Sequence, residues 1–245
     1  MEHLFFQGRR ALVVGGTGGI GRAVAAGLAG QGALVTVTGG SSRERLDAAL
    51  SDMGGSASGF LCRIGGNGGL PVEQAARFIL EKAGTPDILV CAWGPFQKAA
   101  LGDTDAEKWR FLTESNLIFP GILISLLLNG MLKQGWGRIL LFGGTGTARV
   151  RGYTGTTAYS AAKTALAVLA RSAAKAAAGF DITCNVICPG LTDTEYCTEA
   201  ERAYNREHSP GAVLAPEDIA AAALEVLKSS GINGAVLPVD RGMYL

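Results

Sequence analysis

Short apolar runs alternate with longer amphipathic or Ala-rich stretches along the whole chain. The runs at 10–14, 34–38, 60–64, 87–92, 137–142, 182–187 and 234–239 are nearly continuous in Val, Ile, Leu and Cys. They read as strands buried on both faces. Between them lie an Ala/Val/Leu stretch after Arg22, a helix over 72–82, a helical region over 105–129, an Ala-rich helix around Tyr159 and a helix from Pro216 to about Lys228. Strand and helix in regular alternation predict an α/β fold, a single Rossmann-type doubly wound parallel sheet of about seven strands with helices on both faces.

Composition narrows the picture. With 245 residues, 48% of them hydrophobic, the chain can build one large core. No internal repeat or linker marks a second domain, so 9–245 is expected to be one unit. Residues 1–8 are similar to a protease-cleavage tag at several positions and are expected to be a tag or a disordered N-terminus. A polar stretch at about 195–215 follows a strand end without clear periodicity, which is the place and character of a lid over a ligand. The apolar segment 117–132 is short for a membrane span and is interrupted by Pro120, Gly121 and Asn129-Gly130, which favours a buried helix.

Net charge is +1, from 22 basic and 21 acidic residues. That balance points to neither nucleic acid nor an anionic membrane as partner. Five Cys without framework spacing point to free thiols in a reducing compartment, and hence to a cytoplasmic protein. Cys184 and Cys188 lie in a strand-like run, and with only His3 and His208 in the chain no metal site is expected.

Candidate chemistry begins at Gly15-Gly16-Thr17-Gly18-Gly19-Ile20-Gly21, a glycine turn between the first strand and the first helix. Such a turn lets backbone approach a diphosphate closely and sets it at a helix N-terminus, where free N–H groups and the helix dipole favour an anion. The second strand ends at Thr38 and is followed by Ser41, Ser42, Arg43 and Arg45 with no acidic residue at its end. Hydroxyls and guanidinium groups there suit a 2′-phosphate, hence NADP over NAD; a solvated helix start capped by Ser41 or Ser42 is the plainer alternative. Further on, Tyr159 and Lys163 stand four apart in a helical stretch, on one face. A cation beside a phenol favours the phenolate and brings proton exchange with a carbonyl within range.

Taken together, these pieces resemble the classical short-chain dehydrogenase/reductase (SDR) family, over nearly the whole chain. The resemblance is carried by Gly15-x-x-x-Gly19-Ile20-Gly21, Asp87-Ile88-Leu89-Val90, Asn116, Tyr159-x-x-x-Lys163, Asn185 with Pro189-Gly190 and Thr194, and Val239-Asp240-x-Gly242. It implies a nicotinamide cofactor and a homo-tetramer or homodimer assembled through the helices carrying Asn116 and Tyr159. Tyr159 would be the general acid/base, and Lys163 would hold the nicotinamide ribose and lower the Tyr159 pKa. Asn116 would hold a water in a proton relay. Thr194 and the backbone at Ile187 to Leu191, Pro189 and Gly190 among them, would orient the carboxamide, while Thr192, Arg63, Ile64, Ala92, Trp93 and Gly94 would border the rest of the cofactor.

Three departures bear on function. The family's Ser after the fifth strand is absent: aligning forward from the strand puts Gly144 there, and counting back from Tyr159 puts Gly146 there. A hydroxyl from Thr145 or Thr147 is the available substitute. Cys91-Ala92-Trp93-Gly94 replaces Asn-Asn-Ala-Gly, so Cys91 loses a brace and Trp93 adds bulk near the cofactor. Arg63 stands where an Asp is usual, at the adenine edge. The expected function is an NADP(H)-dependent oxidoreductase acting on a small carbonyl or alcohol; the alternative is a non-catalytic NADP(H)-binding sensor or scaffold. Trp93, Phe96, Val150, Tyr153, Tyr196 and Tyr204 are candidates for an apolar pocket wall. Enoyl reductases of the related type carry the Tyr seven positions before the Lys, where this chain has Thr156.

Overall fold

The computed structural model describes residues 4–55, 57–209 and 211–243. Seven strands form one sheet: β1 (Arg10–Val14), β2 (Leu34–Gly39), β3 (Ser58–Leu61), β4 (Ile88–Cys91), β5 (Trp136–Phe142), β6 (Asp181–Pro189) and β7 (Val236–Val239). They lie in the order β3-β2-β1-β4-β5-β6-β7, and every pairing is parallel. The chain builds outward from β1 to β3, then returns to build from β4 to β7. β1 and β4 are therefore the point where the winding reverses, the place where such sheets take ligands.

The described residues form eight α-helices: α1 (Gly19–Gly30), α2 (Arg43–Met53), α3 (Val72–Ala83), α4 (Ala106–Thr113), α5 (Phe119–Gln134), α6 (Thr157–Ala176), α7 (Glu199–His208) and α8 (Pro216–Lys228). One core layer packs the buried faces of α3, α5 and α6 on the sheet around Leu89, Ile139, Leu141, Phe119 and Leu166. The other packs α1, α2 and α8 on the opposite face around Val13, Val37, Leu140, Leu28 and Ile219. Cys91, Cys184 and Cys188 belong to the first layer, buried as apolar side chains.

Most strand boundaries move by a residue or two from the sequence pattern, and one moves further. The third strand was expected at 60–64 and lies at Ser58–Leu61, because Ser58 and Gly59 pair with Thr36 and Val37 although neither is apolar. Cys62 and Ile64 are still buried beyond its end. Pro120 and Gly121 do not interrupt the helical region: α4 and α5 join through one widened helical turn, Glu114–Ile118, giving an unbroken helical run Ala106–Gln134. That run is long and apolar enough to cross a membrane by length and composition, but Phe119, Leu123, Ile124, Leu127 and Met131 are spent in the core. The segment expected to lack periodicity holds α7, capped by a reciprocal Thr198–Glu201 pair. Residues 4–8 are ordered against the domain, since Phe6 is fully buried and its N–H donates to the Gln31 carbonyl at 2.9 Å.

Candidate active site

The loops after β1 and β4 meet at the reversal point. Gly15 has a φ of +82°, and a Cβ there would stand 2.8 Å from the Trp93 backbone nitrogen, so only glycine lets the two loops pass. Its N–H donates to the Thr38 hydroxyl at 3.3 Å, tying the turn to the end of β2. Ala92 is hydrogen-bonded to Val14 through its N–H at 2.9 Å and closes over Gly21. The indole of Trp93 packs edge-on against buried Phe119, with ring centroids 5.3 Å apart.

The widened turn also fixes Asn116. Its side-chain N–H groups donate to the Leu112 and Pro95 carbonyls, each at 3.0 Å. Satisfying a carbonyl four residues back from a side chain replaces a ladder bond and accounts for the local widening. The other end of the amide, Asn116 Oδ1, is buried with no hydrogen-bond partner among the described residues. It faces Gly94, and a Cβ at Gly94 would meet both Asn116 Oδ1 and, at 2.8 Å, Lys163 Nζ. Lys163 is buried and donates to the Phe142 carbonyl at 2.8 Å. Burial pushes its pKa down to about 8.

Tyr159 sits one turn before Lys163 on α6, with the Lys163 ammonium 5.8 Å from its ring centroid. Phe96 covers the ring edge-on at 4.9 Å. The expected lowering of the phenol by Lys163 does not appear: burial dominates and holds Tyr159 well above the usual tyrosine range.

The two alignments of the missing Ser resolve geometrically. A Cβ at Gly144 would stand 2.8 Å from Tyr159 Cε1 and 3.1 Å from its hydroxyl, whereas one at Gly146 would meet the Arg151 guanidinium. Gly144 thus occupies the position facing the phenol. The Thr147 hydroxyl is turned away, accepting the Gly144 N–H and donating to the Gly144 carbonyl, each at 2.8 Å, and lying 3.5 Å from Cys188 Sγ. Among the described residues, neither Thr145 nor Thr147 hydrogen-bonds to Tyr159.

Beyond the end of β2, Ser42 caps α2 by accepting the Arg45 N–H at 3.2 Å, and Arg43 pairs with Asp47 on the helix surface at 3.0 Å. Ser41 and Arg63 are exposed beside it, and Ile64 is buried where it bridges Leu70. At the other end Gly190 packs on the Asp240 backbone, and Thr192 donates to the Gly190 carbonyl at 3.1 Å. The Thr194 methyl lies against Gly19. Asn185 is a brace away from the cleft, joining β6 to Ile232 and Ala235. The sequence reading missed Glu195: both of its carboxylate oxygens accept the Gly19 N–H, at 3.0 and 3.1 Å. Its signal was an acidic residue directly after Thr194, together with a first helix whose opening turn holds no acid of its own.

A family model described as enoyl-(acyl carrier protein) reductase matches residues 15–244. The chain is 32% identical over 248 residues to the 3-oxoacyl-(acyl-carrier-protein) reductase FabG of Pseudomonas aeruginosa, covering 98% of each. It is 33% identical over 247 residues to FabG of Haemophilus influenzae, covering 98% of this chain and 99% of that one. Among solved structures, a short-chain dehydrogenase/reductase from Serratia marcescens superposes with a TM-score of 0.84 at 27% identity, over 98% of this chain and 99% of that one. The actinorhodin polyketide ketoreductase, solved with NADPH, superposes with a TM-score of 0.81 at 25% identity, over 97% of each chain.

Proposed function

The chain belongs to the short-chain dehydrogenase/reductase family of oxidoreductases, and from that premise we propose that it reduces a carbonyl to an alcohol with NADPH, using Tyr159 as the acid. The observation that carries this reading is the single turn of α6 that sets the Tyr159 phenol and the buried Lys163 ammonium beside Gly144 and Asn116. The residues present fit a dinucleotide: the glycine turn already holds a carboxylate on its Gly19 N–H, so it accepts an anion where a diphosphate would lie.

Gly15, Thr17, Gly18, Gly19, Ile20 and Gly21 would cradle the diphosphate, and Ser41, Ser42 and Arg43 the adenosine phosphate. Ala92, Trp93, Gly94, Pro189, Gly190, Thr192 and Thr194 would border the nicotinamide half through backbone and small side chains. A bound reduced nicotinamide supplies the hydride. Tyr159, kept protonated by burial, holds the proton that the carbonyl oxygen receives. Lys163, its pKa pushed down to about 8 and its ammonium 5.8 Å from the Tyr159 ring centroid, would restore the phenol. The unpartnered Asn116 Oδ1 faces the same space and suits a water linking that relay to solvent. Gly144 brings no hydroxyl, so Tyr159 is the sole side-chain donor to the carbonyl, and turnover is expected to be slower by roughly 10²-fold than with a second donor.

NADP over NAD is supported by the absence of an acid at the end of β2, where Gly39 and Gly40 stand, and by Arg43 and Arg45 beyond it. Carbonyl rather than enoyl reduction is supported by Thr156, whose hydroxyl is paired with Ser160 at 2.9 Å. The names of the ketoreductase relatives point the same way. Exposed Phe96 and Val150 and half-buried Tyr153 at the mouth favour a substrate with an apolar or ring-bearing arm, and a 3-oxoacyl thioester belongs in that class. Assembly is proposed through the outer faces of α5 and α6, where Leu126 and Val168 are exposed, and the setting is proposed to be cytoplasmic.

The test is NADPH consumption with a panel of ketones, quinones and 3-oxoacyl thioesters, repeated with NADH. Turnover with at least one carbonyl, faster with NADPH, is the expected result. Tight NADPH binding without turnover on any of them would favour the non-catalytic reading, which draws on the bare Gly144.

A further inference from the structure

The first helix opens without a cap of its own: Gly18 has no side chain, and no acidic residue lies in the first turn. A helix start in that condition leaves N–H groups without partners. The cap comes instead from the segment that follows β6, through the two Glu195 carboxylate oxygens on the Gly19 N–H. A Cβ at Gly18 would collide with Glu195 Oε1 and with the Tyr196 hydroxyl, so these two side chains fill the space above the glycine turn. Tyr196 in turn lies beneath the Arg45 guanidinium, 5.1 Å from ring centroid to Cζ, which reaches over from the adenosine side.

The same segment is tied down further along. Arg202 on α7 bonds Asp193 at 2.7 Å and the Thr194 carbonyl at 2.8 Å, and Glu201 pairs with Lys98 of the β4–α4 loop at 3.1 Å. A cavity of about 360 Å³ opens beside Glu195, walled by Arg22, Asp52 and Glu217 among others, with Arg22 paired to Asp52, and gives the carboxylate room to swing aside.

We propose that Glu195 and Tyr196 form a latch that closes the diphosphate subsite with an internal anion, so that a dinucleotide binds only by displacing them. The inference rests on the reading of the glycine turn as a dinucleotide site. A closed population lowers apparent affinity by the fraction that is open. The latch also couples the two halves of the cofactor cleft, since Arg45 is held by Tyr196 until the segment lifts and is then available to a phosphate.

The test is the Kd for NADPH, by fluorescence titration, of the full chain and of its Glu195→Ala and Glu195→Gln variants, together with hydrogen exchange at the Gly19 amide. Removal of the carboxylate is expected to tighten NADPH binding by about fivefold to tenfold and to speed Gly19 exchange, with Gln in between. Unchanged or weaker NADPH binding in Glu195→Ala would overturn the latch while leaving the dinucleotide site in place. No NADPH binding by any of the three proteins would remove the dinucleotide reading and the latch with it.

Discussion

Gly144 and Tyr159 stand too close to admit a side chain between them: the missing Cβ of the glycine would fall 2.8 Å from Cε1 of the tyrosine ring, inside van der Waals contact. The absence of a side chain at 144 is therefore part of how the phenol is seated. Gly144→Ala is expected to push the ring and lower kcat by about tenfold, while Gly144→Ser meets the same crowding but adds a donor beside the carbonyl, worth up to ~10²-fold. Steady-state kinetics of the pair separate the two effects: Ser faster than Ala assigns the difference to the hydroxyl.

Lys163 carries a stability penalty with a definite sign. Its folded pKa of about 8 lies below the ordinary 10.5. The unfolded chain therefore binds more protons between those values, and the penalty is full below about pH 8 and fades as pH rises towards 10.5. Lys163→Met is expected to lose activity yet to be more stable than the parent near neutral pH by on the order of 2 kcal/mol after loss of the bond to Phe142. Thermal melts across alkaline pH should show the advantage shrinking; a variant less stable at neutral pH would show that the ammonium is held favourably.

Cofactor choice is expected to depend on Arg43, which is exposed and, among the described residues, pairs only with Asp47. Arg43→Glu places an anion where a 2′-phosphate would sit, and the KM for NADPH should rise by about tenfold or more with that for NADH little changed. A parallel loss for both cofactors would move the phosphate contact elsewhere.

Assembly has a simple probe in Val168, 68% exposed on the outer face of α6. A charge buried in an interface is strongly unfavourable. Val168→Glu is expected to lower the mass measured by light scattering to that of the monomer, while the circular dichroism spectrum stays unchanged. An unaltered mass would place the interface on another face.

Much of the fold was legible because buried parallel strands leave near-continuous apolar runs, and all seven were visible in the pattern. The third strand slipped because Ser58 and Gly59 owe their place to pairing with β2, which periodicity does not record. Pro120 looked like a break, but a helix tolerates proline at its start, and a widened turn supplied a new start within the run. In the site, Tyr159 and Lys163 drew attention by their four-residue spacing only in the company of the glycine turn, Asn116 and Pro189-Gly190. The orientation of Thr147, the seat of Trp93 on Phe119 and the reach of Glu195 to Gly19 were not legible, since each depends on contacts between segments far apart in the chain. The direction of the Tyr159 shift also escaped, because burial outweighs a neighbouring cation only once the depth of the phenol is known.

The proposed delivery of the proton by Tyr159 is open to a direct test in Tyr159→Phe, measured for NADPH Kd and for NADPH-dependent turnover of a carbonyl that the parent reduces. The Kd is expected to stay within about twofold while kcat falls by at least ~10²-fold, general acid catalysis being worth that much. Turnover retained in the Phe variant would contradict it and assign the proton to another group.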